Sequence, residues 1–573
     1  MALFPILPLP GRILARTAPL GEARRAVPAM AQAGVTGTGR VAVWAARHGF
    51  AMAAEAPGRV IRAGRALVDL HPRRHTRHVW TGRGRAHIEV RGLERGRLTR
   101  KRLAGGVTRA LRGLNGVRWA EVNTVTGQVL LSFDERRVGL DRLLETVQAV
   151  EEALGAQDAD FPWAQPVPPG DDAPVAAAVT ELLVDCAAVA AGVVQSIFRL
   201  PALPRVVPAA VAALELERRL RRPLIRRIGP LETELLLSLT SATANGLCGG
   251  IGMPAVDMVD RVLLLGEARA GRQVWERREK DLCPGPDCVP RTRPARHLRA
   301  RTRSPGPVER CEERLAKVAP LAAAGVLALR GSPGRAADTL LAAVPRAARY
   351  GRNGFAAAVG RDLARRGVVP LDPSALRLLD DVSAVVIDSA VLVNDGHSAG
   401  DGRPHPLASS MLAAAHSTGA CVVLTEDERV RGLLPAADLV VGRGERLTDR
   451  VRALRNRGGG VLVVSGTDAE ALAAADVAVA VPGAPGAEAS WSADLVCADG
   501  LEDACRILRA VAVARRVSRD CVRLALAGAA AGALLALVGP KRGIVHALTP
   551  VHIASLLALV WSATAARRAT RDP

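Results

Sequence analysis

Long runs of apolar residues recur along the chain, and the two clearest lie close to its C-terminal end. Residues 524–540 contain no charged side chain, and residues 543–566 contain none either. About 20 apolar residues are enough for a helix to cross a bilayer. Arginines flank the pair on its outer sides, whereas only Lys541 and Arg542 lie between the two runs. This distribution predicts a transmembrane hairpin over 524–566 with both ends in the cytoplasm, the alternative being a buried hairpin within a soluble domain.

Weaker apolar runs predict further membrane helices over 174–267 and 311–350, for about six to eight membrane helices in all. Glu181 and Asp185, in the first of these regions, are spaced so that they share one helix face. Acidic residues inside a membrane span are candidates for a functional site. We favour the simpler interpretation, in which both acids lie at the membrane interface just before the span.

Between these two regions, residues 268–310 are rich in Arg and Pro and predict a basic cytoplasmic loop. The loop contains Cys283 and Cys288. Two cysteines at this spacing could hold a soft metal ion, but no second pair lies nearby in the sequence. The sequence therefore predicts no metal site.

A first soluble domain is predicted over residues 81–155. Its apolar positions indicate three strands and two helices in the order strand, helix, strand, strand, helix. These elements lie at residues 87–93, 103–114, 118–123, 127–133 and 140–154. This is the order of a ferredoxin-like domain.

A second soluble domain is predicted over residues 372–511, with an α/β fold. Strands that are apolar throughout alternate there with helices rich in Ala, Leu and Arg, as in a parallel sheet covered on both faces. The strands lie at residues 384–387, 421–424, 461–464 and 477–481. The fold class expected for the chain is therefore α/β plus membrane helices.

The chain is strongly basic: Lys and Arg total 78 against 56 Asp and Glu, a formal net charge of +22. Such a charge fits either nucleic-acid binding or the cytoplasmic flanks of membrane helices. Aromatic residues make up only 2% of the chain, whereas modules that stack on bases need aromatic platforms. We therefore expect membrane lipid and other membrane proteins as partners, and no nucleic acid. Residues 1–80 form a basic, Ala-rich region, and residues 1–10 lack the basic start of a cleaved signal peptide.

Three short segments follow apolar strands of the α/β domain. They read Asp388-Ser389-Ala390-Val391-Leu392, Thr425-Glu426-Asp427 and Val463-Val464-Ser465-Gly466-Thr467-Asp468. Their order resembles the motifs DKTGT, TGD and GDGxND of P-type cation-transporting ATPases, in the heavy-metal class of the kind found in actinobacteria. The resemblance covers most of residues 80–570. It identifies 81–155 as similar to a heavy-metal-associated domain and 372–511 as similar to a phosphorylation domain of haloacid-dehalogenase type.

This resemblance implies a chemistry for three residues. Asp388 would be the nucleophile that receives the γ-phosphoryl group of ATP, and Thr425 would hold the phosphoryl oxygens. Asp468 would be a Mg²⁺ ligand. ATP and Mg²⁺ are accordingly the cofactors that the resemblance implies.

The chain departs from the family pattern at each motif. Ser389 stands where the family has Lys, Glu426 where it has Gly, and Val464 where it has the first Asp of the third motif. No TGE motif of an actuator domain occurs, and the stretch between Asp388 and Thr425 is too short for a nucleotide-binding domain.

Two metal motifs of the family are missing as well. The first loop of the heavy-metal-associated region, at Arg91-Gly92-Leu93, has no cysteine pair. Val344-Pro345-Arg346 stands where the family has a Cys-Pro-Cys type of motif.

These departures favour a catalytically degenerate pseudo-pump that acts as a membrane scaffold or partner. The alternative is a working ATP-driven cation transporter phosphorylated on Asp388. Both hypotheses place a multi-pass protein in the cell membrane with its soluble domains in the cytoplasm. We also expect the four acids of the motif segments to gather without a matching base, which would raise their pKa values or favour a loosely bound cation. They are Asp388, Glu426, Asp427 and Asp468.

Overall fold

The structure is a computed structural model that describes most of the chain from residue 77 onward. The described residues are 77–94, 96–157, 159, 161, 170–198, 252–291, 305–393, 403–483, 486–539 and 547–571, with isolated positions between 204 and 244. Nearly all of the predicted basic region at 1–80 lies outside them, as do most of 199–251, the stretch 292–304 and the hairpin turn at 540–546.

The N-terminal domain is a four-stranded antiparallel sheet in the order β1-β2-β4-β3, with two helices on one face. Its elements are β1 (Val79–Gly82), β2 (Arg85–Glu89), α1 (Arg97–Arg112), β3 (Val117–Asn123), β4 (Gln128–Phe133) and α2 (Leu140–Ala153). Helix α1 packs on the sheet through Leu103, Val107 and Leu111, which the helical period places on one side. β1 precedes the five predicted elements. It joins β2 through Arg83 and Gly84, whose φ values of 52° and 73° form a tight hairpin turn.

The remaining helices lie between the two soluble domains, within the second one and after it. They are α3 (Ala173–Phe198), α4 (Gly252–Leu282), α5 (Pro307–Arg330), α6 (Pro333–Ala342), α7 (Arg346–Arg365), α8 (Ala408–Ser417), α9 (Leu447–Asn456), α10 (Ala469–Ala474), α11 (Leu501–Val538) and α12 (Thr549–Ala569).

Three of the described helices are long and apolar enough to cross a membrane. They are Ala173–Val193 within α3, all of α11, and α12. The predicted hairpin at 524–566 corresponds to the second half of α11 followed by α12, which pack against each other. Helix α11 is longer than predicted, because it runs without a break from the α/β domain into the apolar stretch.

Glu181 and Asp185 lie inside Ala173–Val193, the stretch of α3 that is long and apolar enough to cross a membrane. Their expected place at the membrane interface stays a prediction. Arg261 of α4 faces them: its Nη1 lies 2.6 Å from Glu181 Oε2, and its Nε lies 4.0 Å from Asp185 Oδ2. A charge in an apolar bundle needs such a partner, because burial without one is costly.

Helix α7 lies at the centre of the helical part, against α4, α11 and α12. Glycines allow the close approach. A Cβ atom at Gly354 would lie 2.7 Å from Ser562 Oγ, and one at Gly351 would collide with the side chain of Cys521. Small residues at helix contacts are typical of membrane bundles.

The α/β domain contains a seven-stranded sheet in the order β5-β11-β10-β9-β6-β7-β8. Its strands are β5 (Val369–Pro370), β6 (Val382–Ile387), β7 (Cys421–Thr425), β8 (Leu439–Val441), β9 (Gly460–Ser465), β10 (Val477–Ala480) and β11 (Leu495–Val496). Neighbouring strands are parallel except β5 and β11, which are antiparallel. The four predicted strands coincide with β6, β7, β9 and β10, whereas the short edge strands were not predicted. Helices α8 and α11 cover one face, and α9 and α10 cover the other.

The N-terminal sheet is docked on α4. Both faces of β2 are buried, one under α1 and α2 and the other against the C-terminal half of α4. At this contact His87 Nε2 lies 2.8 Å from Glu279 Oε1, and Arg85 Nε lies 3.0 Å from Glu279 Oε2. The side chains of His87 and Glu279 are 2% and 3% exposed, so the charge of Glu279 is balanced inside the protein.

Indole rings join this contact to the α/β domain. The rings of Trp80 and Trp275 lie edge-on to His87, with centroid distances of 5.1 and 5.3 Å. Trp491, from the α/β domain, lies 6.4 Å from both His87 and Trp275. Its Nε1 donates to the Cys288 carbonyl at 3.1 Å. The first sheet, α4 and the second sheet therefore share one core.

Replacing Glu279 by Gln tests the ion pair at this junction. The substitution keeps the shape of the side chain but leaves Arg85 and His87 buried without a carboxylate. We expect the N-terminal domain to separate from α4 more readily, by about 3 kcal/mol. Hydrogen exchange of the β2 amides in the detergent-solubilised chain should accelerate accordingly. Glu276→Gln is the matched control, since its side chain is 47% exposed and pairs only with Arg272 of the same helix; it should change exchange by less than about 0.5 kcal/mol. Equal exchange in the two variants would contradict the importance of the pair.

Candidate functional site

The three motif segments meet at one edge of the seven-stranded sheet. β6 lies between β7 and β9, and all three strands are parallel, so their carboxyl ends are adjacent. Asp388 follows β6, Thr425 ends β7, and Ser465 ends β9. The carboxyl edge of an open parallel sheet is the usual place for a ligand or a catalytic group.

Both carboxylate oxygens of Asp388 are hydrogen bonded. Oδ1 accepts from the Ala390 N–H at 3.2 Å and from the Thr425 hydroxyl at 3.4 Å. Oδ2 accepts from the Ser465 hydroxyl at 2.7 Å and from the Thr467 hydroxyl at 3.5 Å. Among the residues that the structure describes, no Lys or Arg forms an ion pair with Asp388. Its charge is therefore solvated by neutral hydroxyl groups.

Ser389, at the position of the family's Lys, is completely buried. Its N–H donates to Thr425 Oγ1 at 2.7 Å, and its hydroxyl donates to the Thr425 carbonyl oxygen. Ser389 thus fastens the end of β6 to the end of β7. The side chain points into the protein and is hydrogen bonded to Thr425.

The motif aspartates begin helices. Asp388 caps the 3₁₀ helix Ser389–Leu392, Asp427 caps the 3₁₀ helix Glu428–Ala436, and Asp468 caps α10. Asp468 Oδ1 accepts from the Ala471 N–H at 2.8 Å. Asp is among the preferred residues at this position, because its oxygen satisfies a backbone N–H that the helix leaves free.

Sequence reasoning misplaced one residue of the site and overlooked two. Val464, assigned to the first Asp of the third motif, lies inside β9 opposite Ile387 and is completely buried in the core. The side chain that reaches Asp388 is that of the next residue, Ser465. Ser465 and Thr467 were not predicted as site residues, although hydroxyl side chains directly after an apolar strand were the available indication.

The four motif acids do not form an unbalanced cluster. Arg429 donates to Asp427 from Nε at 3.2 Å and from Nη2 at 2.9 Å. These bonds hold the pKa of Asp427 below its usual range, so the predicted rise is wrong for this group. Glu426 Oε2 accepts from the Arg443 backbone N–H at 3.3 Å.

The residues at this edge do not fit a Mg²⁺–phosphate group. Asp388 is surrounded by hydrogen-bond donors, one oxygen of Asp468 is committed to its helix cap, and Val464 offers no ligand atom. Within the described ranges, no group of three or more His, Cys, Asp or Glu side chains is placed to hold a metal ion.

The two places where the family carries metal motifs hold other contacts. In the N-terminal domain, the Arg91 N–H donates to Glu151 Oε1 at 2.9 Å, and the Arg91 guanidinium lies 4.6 Å from the centre of the Phe161 ring. In the helical part, residues 343–345 separate α6 from α7, so Val344 and Pro345 lie in a helix break and Arg346 begins α7. Arg346 is buried.

Comparisons with known proteins agree with the motif segments. No family model matches the chain. A probable cation-transporting ATPase I of Mycobacterium leprae (strain TN) is 30% identical over 601 aligned positions, covering 82% of this chain. A protein of the same name from Mycobacterium tuberculosis (strain CDC 1551 / Oshkosh) is 29% identical over 598 positions. The chain spans about 37% of the length of these curated relatives.

Solved structures with similarity include a zinc-transporting PIB-type ATPase, which has been crystallised in two states. Each of the two structures has a TM-score of 0.34 and 14% sequence identity. The alignment with the first structure covers 54% of this chain and 67% of the chain in that structure. The relationship to the mycobacterial proteins rests on sequence and extends over 82% of the chain. The chain is homologous to P-type cation-transporting ATPases over 82% of its length, in agreement with the motif segments.

Proposed function

We propose that this chain is a catalytically degenerate member of its family, a pseudo-pump that serves as a membrane scaffold. The observation that carries the proposal is the state of Asp388. Both of its oxygens accept hydrogen bonds from hydroxyl or backbone groups, and the neighbouring Ser389 is buried. A carboxylate in this environment stabilises the sheet edge and is poorly placed to attack a phosphoryl group.

The energetic argument concerns the charge of the transferred group. A phosphoryl group in transfer is stabilised by cations fixed around it, and the loss of one such interaction lowers the rate by roughly 10²–10³-fold. Ser389 stands in place of the lysine, and neither Val464 nor Ser465 supplies the first carboxylate of the third motif for Mg²⁺. Two losses of this size together lower the rate by roughly 10⁴–10⁶-fold. The short connection from Asp388 to Thr425 also leaves no nucleotide-binding domain within it.

The same proposal assigns the domains. The element order of residues 77–157 supports a ferredoxin-like domain related to heavy-metal-associated domains, and the sheet of β5–β11 supports a haloacid-dehalogenase-like domain. Both would lie in the cytoplasm, attached to a multi-pass membrane region that contacts lipid and other membrane proteins. A scaffold suits the junction of His87, Glu279 and Trp491, because that junction fixes the two domains to α4.

A second candidate function is a working cation transporter phosphorylated on Asp388. The observation in its favour is the 3.4 Å contact between Thr425 Oγ1 and Asp388 Oδ1, which retains the family's pairing of these two residues. This candidate requires a nucleotide-binding domain and a cation supplied from elsewhere.

A phosphate mimic distinguishes the two functions. We expect beryllium fluoride with millimolar Mg²⁺ to leave the thermal transition of the purified chain unchanged, because no Lys or Arg among the described residues pairs with Asp388. Incubation with labelled ATP should likewise give no acid-stable phosphoenzyme. A saturable stabilisation that disappears in Asp388→Asn would show a competent phosphorylation site and favour the transporter.

Two substitutions at Asp388 test its structural role. Asn is as good a helix cap as Asp, whereas Ala removes the cap at a cost of about 1 kcal/mol. We therefore expect Asp388→Ala to destabilise the α/β domain by about 1–2 kcal/mol, and Asp388→Asn to destabilise it less. Hydrogen exchange of the β6 and β7 amides measures the difference. Asp468→Ala is the matched control for loss of a cap in the same domain, and a change at Asp388 much smaller than at Asp468 would argue against the capping role.

Topology reporters test the membrane assignment. A reporter fused after Pro573 and another inserted after Arg519 should both give a cytoplasmic signal, because arginines flank the hairpin on its outer sides. An extracytoplasmic signal at either position would contradict the assignment of α11 and α12 as a transmembrane pair.

A further inference from the structure

The first two turns of α1 carry an unusual exposed surface. They contain the exposed Arg97, Lys101 and Arg102, the half-buried Arg100, and Leu98, which is 77% exposed. We call these five residues the basic turn. Helix α1 contains no acidic residue at all.

The fold of the domain does not account for the basic turn. The core contacts of α1 come from Leu103, Val107 and Leu111, which lie further along the helix. In the part of the chain that the structure describes, no ion pair joins an acid to any of the four basic side chains. Basic residues at the start of a helix also oppose the helix dipole, so they weaken α1 slightly.

The basic turn lies at the end of the domain where the chain leaves towards α3. The loop before α1 packs on the segment that follows α2: a Cβ atom at Gly92 would lie 3.1 Å from Ala156 Cβ. The Arg91 side chain donates to the Gln157 carbonyl at 2.7 Å and covers the Phe161 ring. The start of α1 and the exit segment are therefore neighbours.

The described chain resumes at Gly170, just before a candidate membrane span. Asp171 pairs with His78 of the N-terminal domain, and Asp172 pairs with Arg272 of α4. Helix α3 begins at the next residue, and its apolar span is Ala173–Val193. The domain is thus held against the start of this span by His78, whose neighbour Arg77 lies over the same Phe161 ring as Arg91.

We propose that the basic turn binds the anionic headgroups of the membrane that α3 enters. Basic side chains around an exposed leucine are typical of segments that lie on anionic bilayers, where each Lys or Arg adds roughly fivefold to the affinity. The membrane is present at this end of the domain in every inserted molecule, so binding needs no further partner. The inference rests on the proposed membrane placement of α3 and is independent of the state of Asp388.

Hydrogen exchange of the full chain in nanodiscs tests the proposal. We compare discs of phosphatidylcholine alone with discs containing about one third phosphatidylglycerol. We expect peptides covering residues 97–104 to exchange about tenfold more slowly in the anionic discs at low salt, and this protection to disappear at high salt. The amount of chain recovered in the discs reports membrane insertion separately. Failure of the membrane assignment is therefore distinguishable from failure of the basic turn to bind lipid.

Matched variants complete the experiment. The triple substitution Arg100→Gln, Lys101→Gln and Arg102→Gln should abolish the lipid-dependent protection, while unchanged exchange of β3 and β4 shows that the domain is folded. Leu98→Ser should reduce the protection and leave its dependence on anionic lipid. A control triple at Arg118, Arg136 and Arg137, exposed at the opposite end of α1, should have no effect. Equal exchange in the two kinds of disc would overturn the proposal. Protection in both kinds of disc that the first triple removes would overturn it too, because the occupant would then be a protein surface.

Discussion

The Glu279 carboxylate is buried between two domains, and such a charge is tolerated only when both of its oxygens have partners. His87 and Arg85 supply them from one strand of the N-terminal sheet, and indole rings from three separate parts of the chain enclose the pair. The position of the N-terminal domain on α4, and of α4 on the second sheet, follows from this requirement. The fixed relation of the two domains depends on it.

In the proposed pseudo-pump, the sheet edge at Asp388 keeps its fold without the chemistry of a phosphorylation site. A carboxylate after a buried strand also has a structural role. It accepts a hydrogen bond from a backbone N–H that the following helix leaves free. Asp388 and Asp468 have this role, and hydroxyl groups from Thr425 and Ser465 complete the coordination of Asp388. The lysine and the first carboxylate of the third motif have no such structural role in the family pattern, and they are the groups replaced here.

The sequence predicted best where burial decides the structure. The four central strands are apolar throughout, and β6, β7, β9 and β10 lie where predicted. β1 and β11 were missed because each is short and takes its strand form from its neighbour. The position of Asp388 beside Thr425 followed from the order of the parallel strands. Whether Ser465 or Val464 reaches Asp388 depends instead on the residue at which β9 ends. Pairing of Arg261 with Glu181 joins two distant helices, and no local pattern of residues could have shown it.

The antiparallel pair of β5 and β11 joins the first strand of the α/β domain to its last. Helix α7 leads into the α/β domain and α11 leads out of it, and the two helices are in contact. The two ends of the domain therefore lie close together. Segments inserted at the far edge, between β6 and β7 for example, can lengthen or disappear during evolution without moving the helices below. A short connection between β6 and β7 is then compatible with an unchanged membrane region. This part of the chain can therefore diverge in sequence independently of the rest.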